Sequence, residues 1–109
     1  MTTNELKKRF IEVYGGDDRQ LRVFSAAGRV NLIGEHIDYC GGKVFPAALN
    51  LRTTVVARKN GTDKINLAAT TIGDRVSLAI DNLDAYRDLK WGDYQAGVAF
   101  TMQQDGYEI

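Results

Sequence analysis

Apolar and polar positions alternate in two rhythms along this chain. Over residues 4 to 14, Leu6, Phe10, Val13 and Tyr14 recur at helical spacing, which predicts an amphipathic helix with Asn4 as its N-cap. Gly15-Gly16 ends it. Residues 20 to 26 read as a strand with Leu21, Val23 and Ser25 on one face. Residues 43 to 48 resume an extended pattern, and Pro46 places them at an edge or in a bulge. Residues 51 to 59 are rich in β-branched side chains and predict a further strand, with Asn60-Gly61 as a hairpin turn after it. Residues 64 to 70 and 75 to 80 read as two more strands turning at Gly73-Asp74. A polar connection over residues 81 to 90 leads to a helix over 93 to 104, with Tyr94, Val98 and Met102 as its apolar stripe. Gly97 inside that helix costs about 1 kcal/mol against alanine, which points to close packing there. The order predicts one α+β domain, a mixed and largely antiparallel sheet with helices on one face.

One stretch breaks both rhythms. From Gly28 to Gly42 the chain sets Arg29, Glu35, His36 and Asp38 among Val30, Leu32, Ile33 and Ile37, with glycines on either side. Such a mixture predicts a partly buried loop holding polar groups in place, as small-molecule sites do. Two carboxylates suit paired sugar hydroxyls, since each can accept two hydrogen bonds. Two other readings stay open. Glu35 and Asp38 can satisfy loop amides, with Arg29 and His36 neutralising them. They can also ligate a metal. With one histidine and one cysteine in the chain zinc is disfavoured, whereas magnesium held with a nucleotide is not. Arg29 follows Gly28 at a strand exit, a position suited to an anion or to a salt bridge with Glu35 or Asp38. Trp91 reads as a core or hinge anchor, or as a stacking platform for a base or sugar.

Composition narrows the field. The chain has 109 residues, enough for one small domain. Its formal net charge is zero, which argues against a nucleic-acid partner. No apolar run approaches the length of a membrane span, and residues 1 to 9 lack the apolar core of a signal peptide. A lone cysteine, Cys40, forms no internal disulfide, so a cytoplasmic location is expected. Neither a G-x-x-x-x-G-K-[ST] nor a G-x-G-x-x-G phosphate loop is present.

The run Gly28-Arg29-Val30-Asn31-Leu32-Ile33-Gly34-Glu35-His36, with Asp38-Tyr39, Gly42, Val44, Pro46 and Ala48, resembles the galactokinase signature, the first motif of the GHMP kinase superfamily. Trp91, Tyr94 and Gly97-Val98 resemble that family's Trp-x-x-Tyr-x-x-Gly-Val segment. Ala27 stands where the family usually has proline, and Ile37 where threonine is common. The resemblance implies a ribosomal protein S5 domain 2-like fold. It implies transfer of the ATP γ-phosphoryl group to the anomeric hydroxyl of galactose, with Mg2+. Carried over, Glu35, His36, Ile37 and Asp38 would bind galactose, and Arg29 would stabilise the transition state. Thr70 and Trp91 would bind the nucleotide. The family's phosphate loop and catalytic aspartate would lie beyond residue 109, and residues 105 to 109 read as a turn into a further strand, so the chain is expected to be a truncated N-terminal portion. It is then expected to be inactive alone and to self-associate through the exposed edge. A related kinase, such as one for N-acetylgalactosamine, and a non-catalytic sugar sensor are the rival readings.

Overall fold

The computed structural model of the chain describes residues Met1–Ile109 and divides them into two compact units, Met1–Asn60 and Gly61–Ile109. Each carries a two-stranded antiparallel sheet of its own, so the expected single mixed sheet is replaced by two separate pairs. The α+β class holds.

In the first unit, helix α1 spans Thr3–Tyr14. Its N-cap is Thr2, not Asn4. The Thr2 hydroxyl accepts from the Glu5 N–H at 3.2 Å, and the Glu5 carboxylate accepts from the Thr2 N–H at 2.6 Å. Only Thr2 has a glutamate three residues on to return the bond, which decides the register. At the other end the Arg58 guanidinium donates to the Gly15 carbonyl at 2.9 Å and the Tyr14 carbonyl at 3.4 Å, and sits 5.2 Å from the Phe10 ring centroid. One side chain thereby serves two of the carbonyls that a helix end leaves unpaired.

Strand β1 spans Arg22–Ile33 and pairs along its length with β2, Phe45–Ala57. The ladder therefore runs through Gly28 to Ile33, which the sequence had placed in a loop, and joins the two extended segments around Leu49 into one strand. Two irregularities interrupt it. Between the pairs Ala27↔Arg52 and Arg29↔Ala48, Gly28 alone faces Leu49, Asn50 and Leu51. Between Asn31↔Pro46 and Ile33↔Phe45, Leu32 is extra. Pro46 thus lies beside a bulge, where its missing N–H is tolerated. Asn60-Gly61 closes no hairpin. β2 ends at Ala57 and pairs with β1 alone, and β3 pairs with β4 alone. No side chain of this unit is fully buried, and Phe24, Leu51 and Val55 are 54%, 72% and 52% exposed.

The second unit holds the core. Strands β3, Lys64–Ala68, and β4, Arg75–Ala79, pair antiparallel. Their connection runs over residues 69 to 74, with Gly73 at φ +70°. A 3₁₀ segment follows at Ile80–Gly92, broken by non-helical backbone at Asn82 and Lys90, then helix α2 at Asp93–Gln104. Leu78, Leu83 and Ala96 are buried together, with Ile65, Tyr86, Leu89 and Phe100 packed against them. The helix bounds agree with the periodicity, but its buried face does not. Tyr94, Val98 and Met102 are 84%, 61% and 41% exposed, while Ala96 is fully buried. This helix is apolar on several sides, and its small residues approach the core most closely. Gly97 shows why: a methyl there would lie 3.3 Å from the Tyr86 ring, confirming the close packing expected at that position.

The Glu5 carboxyl is held below its ordinary value of 4.5, first by the Thr2 backbone N–H and then by its hydroxyl. A lowered folded-state value means the cap stabilises fully above the unfolded value and is lost as pH falls through the folded one. Thr2→Ala is expected to cost ~1 kcal/mol of helix stability. Glu5→Gln should flatten the acid limb of a circular-dichroism titration; an unchanged acid limb would remove Glu5 from the cap.

Candidate sugar-binding loop

The β1–β2 ladder ends in a narrow neck. Gly34 adopts φ +101°, and a methyl there would lie 2.8 Å from the Lys43 carbonyl oxygen and 2.9 Å from the Val44 Cα. Only glycine fits. The chain then turns through Glu35 and His36 into one 3₁₀ turn, Asp38–Cys40. Gly41 closes that turn in the left-handed region, and Gly42 is held so near Ile37 that a methyl would meet its Cβ at 2.8 Å.

Three backbone hydrogen bonds close this loop. The Cys40 N–H donates to the Ile37 carbonyl at 3.2 Å, Gly41 to Asp38 at 3.3 Å, and Gly42 to Ile37 at 2.7 Å. The carboxylates of Glu35 and Asp38 cap none of these amides. Nor is Arg29 paired with either: the ion pairs of this unit are Arg9–Glu12 and Arg19–Asp17. Of the three readings of these acids, the loop-capping one is therefore set aside. No three His, Cys, Asp or Glu side chains converge as a metal cluster would require. Glu35, His36, Ile37 and Asp38 are all exposed, consecutive on the loop, with two unengaged acids. Arg29 stands on β1 opposite Ala48, immediately after the Gly28 irregularity. Bulges of this kind re-aim the following side chain.

The decisive likeness lies in this same stretch. Residues 8–59 match the family described as galactokinase galactose-binding signature. Beyond that stretch the chain is similar to proteins named galactokinase. It is 46% identical over 109 residues to galactokinase of Clostridium tetani (strain Massachusetts / E88), covering all of this chain and 27% of that protein. It is 38% identical over 107 residues to galactokinase of Bacillus subtilis (strain 168), covering 96% of this chain and 27% of that one. For Streptococcus thermophilus galactokinase the figures are 33% over 111 residues, 100% and 28%. The chain thus spans about a quarter of the length of these curated relatives. No solved structure gives a significant match.

The galactokinase signature covers most of α1, the whole β1–β2 ladder and the loop at its end. Arg29, Glu35, His36, Ile37 and Asp38 all lie within it. Thr70 and Trp91 lie in the other unit, outside the signature. Thr70 is exposed in the turn after β3. Trp91 is half-buried where the 3₁₀ segment gives way to α2, between Lys90, at φ +56°, and Gly92, whose added methyl would lie 2.6 Å from a Val76 methyl. Its indole N–H is buried without an acceptor. The anchoring and stacking readings of Trp91 are thus compatible. Tyr86, Tyr94, Val98 and Met102 line an open apolar groove of about 500 Å³ on α2, which includes neither Thr70 nor Trp91.

Sequence reasoning missed Tyr39. Its hydroxyl lies 3.1 Å from His36 Nδ1, with the two rings edge-to-face at 6.2 Å and 69°. No local pattern signalled it, because His36 precedes the 3₁₀ turn and its own left-handed backbone, at φ +57°, brings the two side chains together.

Gly34→Ala is expected to destabilise the neck by about 1–3 kcal/mol through backbone strain, and more through the contact with Lys43 and Val44. Denaturant unfolding measures it. Gly15→Ala is the control, because a methyl there meets nothing within 4 Å although φ is also positive. Equal losses at both positions would remove the neck from the account.

Proposed function

We propose that this chain supplies the galactose-binding loop of an ATP-dependent, cytoplasmic galactokinase. In that reaction the anomeric hydroxyl oxygen forms a bond to the γ-phosphorus of ATP, the bond from that phosphorus to the ADP oxygen breaks, and the hydroxyl proton leaves to a base outside this chain. The observation that carries the reading is the pair of unengaged acids, Glu35 and Asp38, on a loop closed by backbone hydrogen bonds in which neither carboxylate takes part. Ionised carboxylates are pure acceptors, so neighbouring sugar hydroxyls can donate to both. Ile37 would offer an apolar contact to the sugar ring, and His36 a ring nitrogen to a hydroxyl. Arg29 would stabilise charge on the transferring phosphoryl group, a role suited to a guanidinium that no carboxylate has claimed.

Galactokinase chemistry requires ATP and Mg2+, and the residues present fit only part of that group. Trp91 offers a half-buried indole, and Thr70 an exposed hydroxyl. These would hold the nucleotide. Mg2+ neutralises phosphate charge when bound, and its ligands would be ATP oxygens and groups other than a cluster of this chain's acids. The same reading makes the chain the start of a GHMP kinase N-terminal domain with the ribosomal protein S5 domain 2-like fold, with the phosphate loop further along the polypeptide.

In a polypeptide of the relatives' length carrying this stretch, Asp38→Ala is expected to weaken galactose binding by about 1–3 kcal/mol per unpaired hydroxyl while ATP affinity holds. Arg29→Ala should lower kcat more than it raises KM for galactose, since its partner charge develops in the transition state. Calorimetry and steady-state kinetics separate these. Equal loss of both ligands in Asp38→Ala would remove its sugar role, and an effect of Arg29→Ala on KM alone would make Arg29 a ground-state ligand. A preference for another sugar would redirect the reading to a sister kinase.

The 109-residue chain by itself is expected to show no galactose-dependent ADP release and to self-associate. A two-stranded sheet is marginal in water, and this one leaves Phe24, Leu51 and Val55 uncovered. Light scattering should report dimers or larger species. Turnover by the purified chain would overturn the assignment of the remaining machinery to sequence outside it; a monomer would remove the self-association alone.

A further inference from the structure

His36 is held in an unusual way for a residue that would touch a ligand. Its backbone adopts φ +57°, in the left-handed region that costs a side chain of this kind on the order of 1 kcal/mol. Such outliers persist where surrounding structure over-determines them, and they gather at ligand clamps. Here the surroundings are the Gly34 neck on one side and the 3₁₀ turn Asp38–Cys40 on the other. The turn presents Tyr39 to the imidazole, hydroxyl oxygen to Nδ1 at 3.1 Å, with the rings edge-to-face.

We propose that Tyr39 is a positioning residue for His36: its hydroxyl donates to Nδ1, holds the neutral imidazole as the Nε2–H tautomer, and leaves Nε2–H as the donor of the loop. The direction follows from the groups. A neutral imidazole carries one donor and one acceptor nitrogen, and a phenol hydroxyl can act either way. The bare ring nitrogen is the stronger base of the two acceptors, so the phenol donates. The chemistry of the loop then requires this tautomer. Glu35 and Asp38 only accept, so they can take protons from sugar hydroxyls but give none to hydroxyl oxygens. A hydroxyl that both donates and accepts needs one partner of each kind. His36 supplies the missing donor through Nε2, provided that Nδ1 is the nitrogen kept bare. The sugar part of this inference rests on the galactose reading above; the tautomer part does not.

His36 is the chain's only histidine, so its ring nitrogens can be read without assignment by substitution. The test is long-range proton–nitrogen NMR of the 109-residue chain with nitrogen-labelled histidine, at a pH where the ring is neutral, beside Tyr39→Phe. Tyr39→Phe keeps the ring contact and removes only the hydroxyl. The expected result is a ring protonated on Nε2 in the chain, with a clear gain of the Nδ1–H form in Tyr39→Phe. A ring protonated on Nδ1, or the same tautomer ratio in both proteins, would overturn the proposal. The second measurement is galactose binding by calorimetry in a polypeptide of the relatives' length carrying this stretch, where Tyr39→Phe should bind about two- to tenfold more weakly, as for one lost hydrogen bond. Equal affinity there would overturn the proposal even if the tautomer moved. A tautomer that moves, with galactose bound by neither protein, would sink the galactose reading and leave the Tyr39–His36 lock standing.

Discussion

The antiparallel ladder between Arg22–Ile33 and Phe45–Ala57 is the constraint on which the candidate site depends. A loop of this size can hold its four candidate site side chains in place only if its ends are fixed, and the ladder fixes them at Ile33 and Phe45. Gly34 then lets the two strands close to within contact of backbone atoms, which no side chain would allow. The irregularity at Gly28 belongs to the same device. It changes the stagger of the strands just before Arg29, so the guanidinium and the loop are set by one continuous hydrogen-bonded frame.

That frame is poor in buried surface. The three buried apolar residues of the chain, Leu78, Leu83 and Ala96, all lie in the Gly61–Ile109 unit. The ladder instead gains from backbone pairing and from polar cross-strand contacts. Arg52 donates to the Ser25 hydroxyl at 2.8 Å and to its carbonyl at 3.1 Å, and the Ser25 and Thr54 hydroxyls lie 3.3 Å apart. Such cross-strand pairs stabilise a sheet by roughly 0.2–1 kcal/mol each. Phe24, Leu51 and Val55 remain uncovered, as a two-stranded sheet leaves them.

The loop itself separates two tasks that small loops often combine. Its backbone bonds are made by carbonyls of Ile37 and Asp38, and its acidic side chains are left over. A loop that used Glu35 or Asp38 to hold its own shape would have to break to bind a ligand. This one keeps its shape with glycines and a 3₁₀ turn, and both carboxylates stay free.

Much of this was legible in the residues. The helix bounds, the strands on either side of the connection that ends at Asp74, and the concentration of chemistry between Gly28 and Gly42 follow from periodicity, β-branching and the clustering of ionisable groups, all of them local properties. What the tertiary structure decided was non-local. Which strand pairs with which depends on segments distant in sequence, and Asn60-Gly61, a sound turn sequence, joins two units instead of closing a hairpin. Which face of α2 is buried depends on what approaches it; Tyr86 packs at Gly97 and leaves Tyr94, Val98 and Met102 outside. Whether Glu35 and Asp38 are spent on the loop or left for a ligand depends on where each amide points. Residue types cannot reveal that, because a carbonyl and a carboxylate satisfy the same N–H equally well in the sequence and only one of them is near it in space.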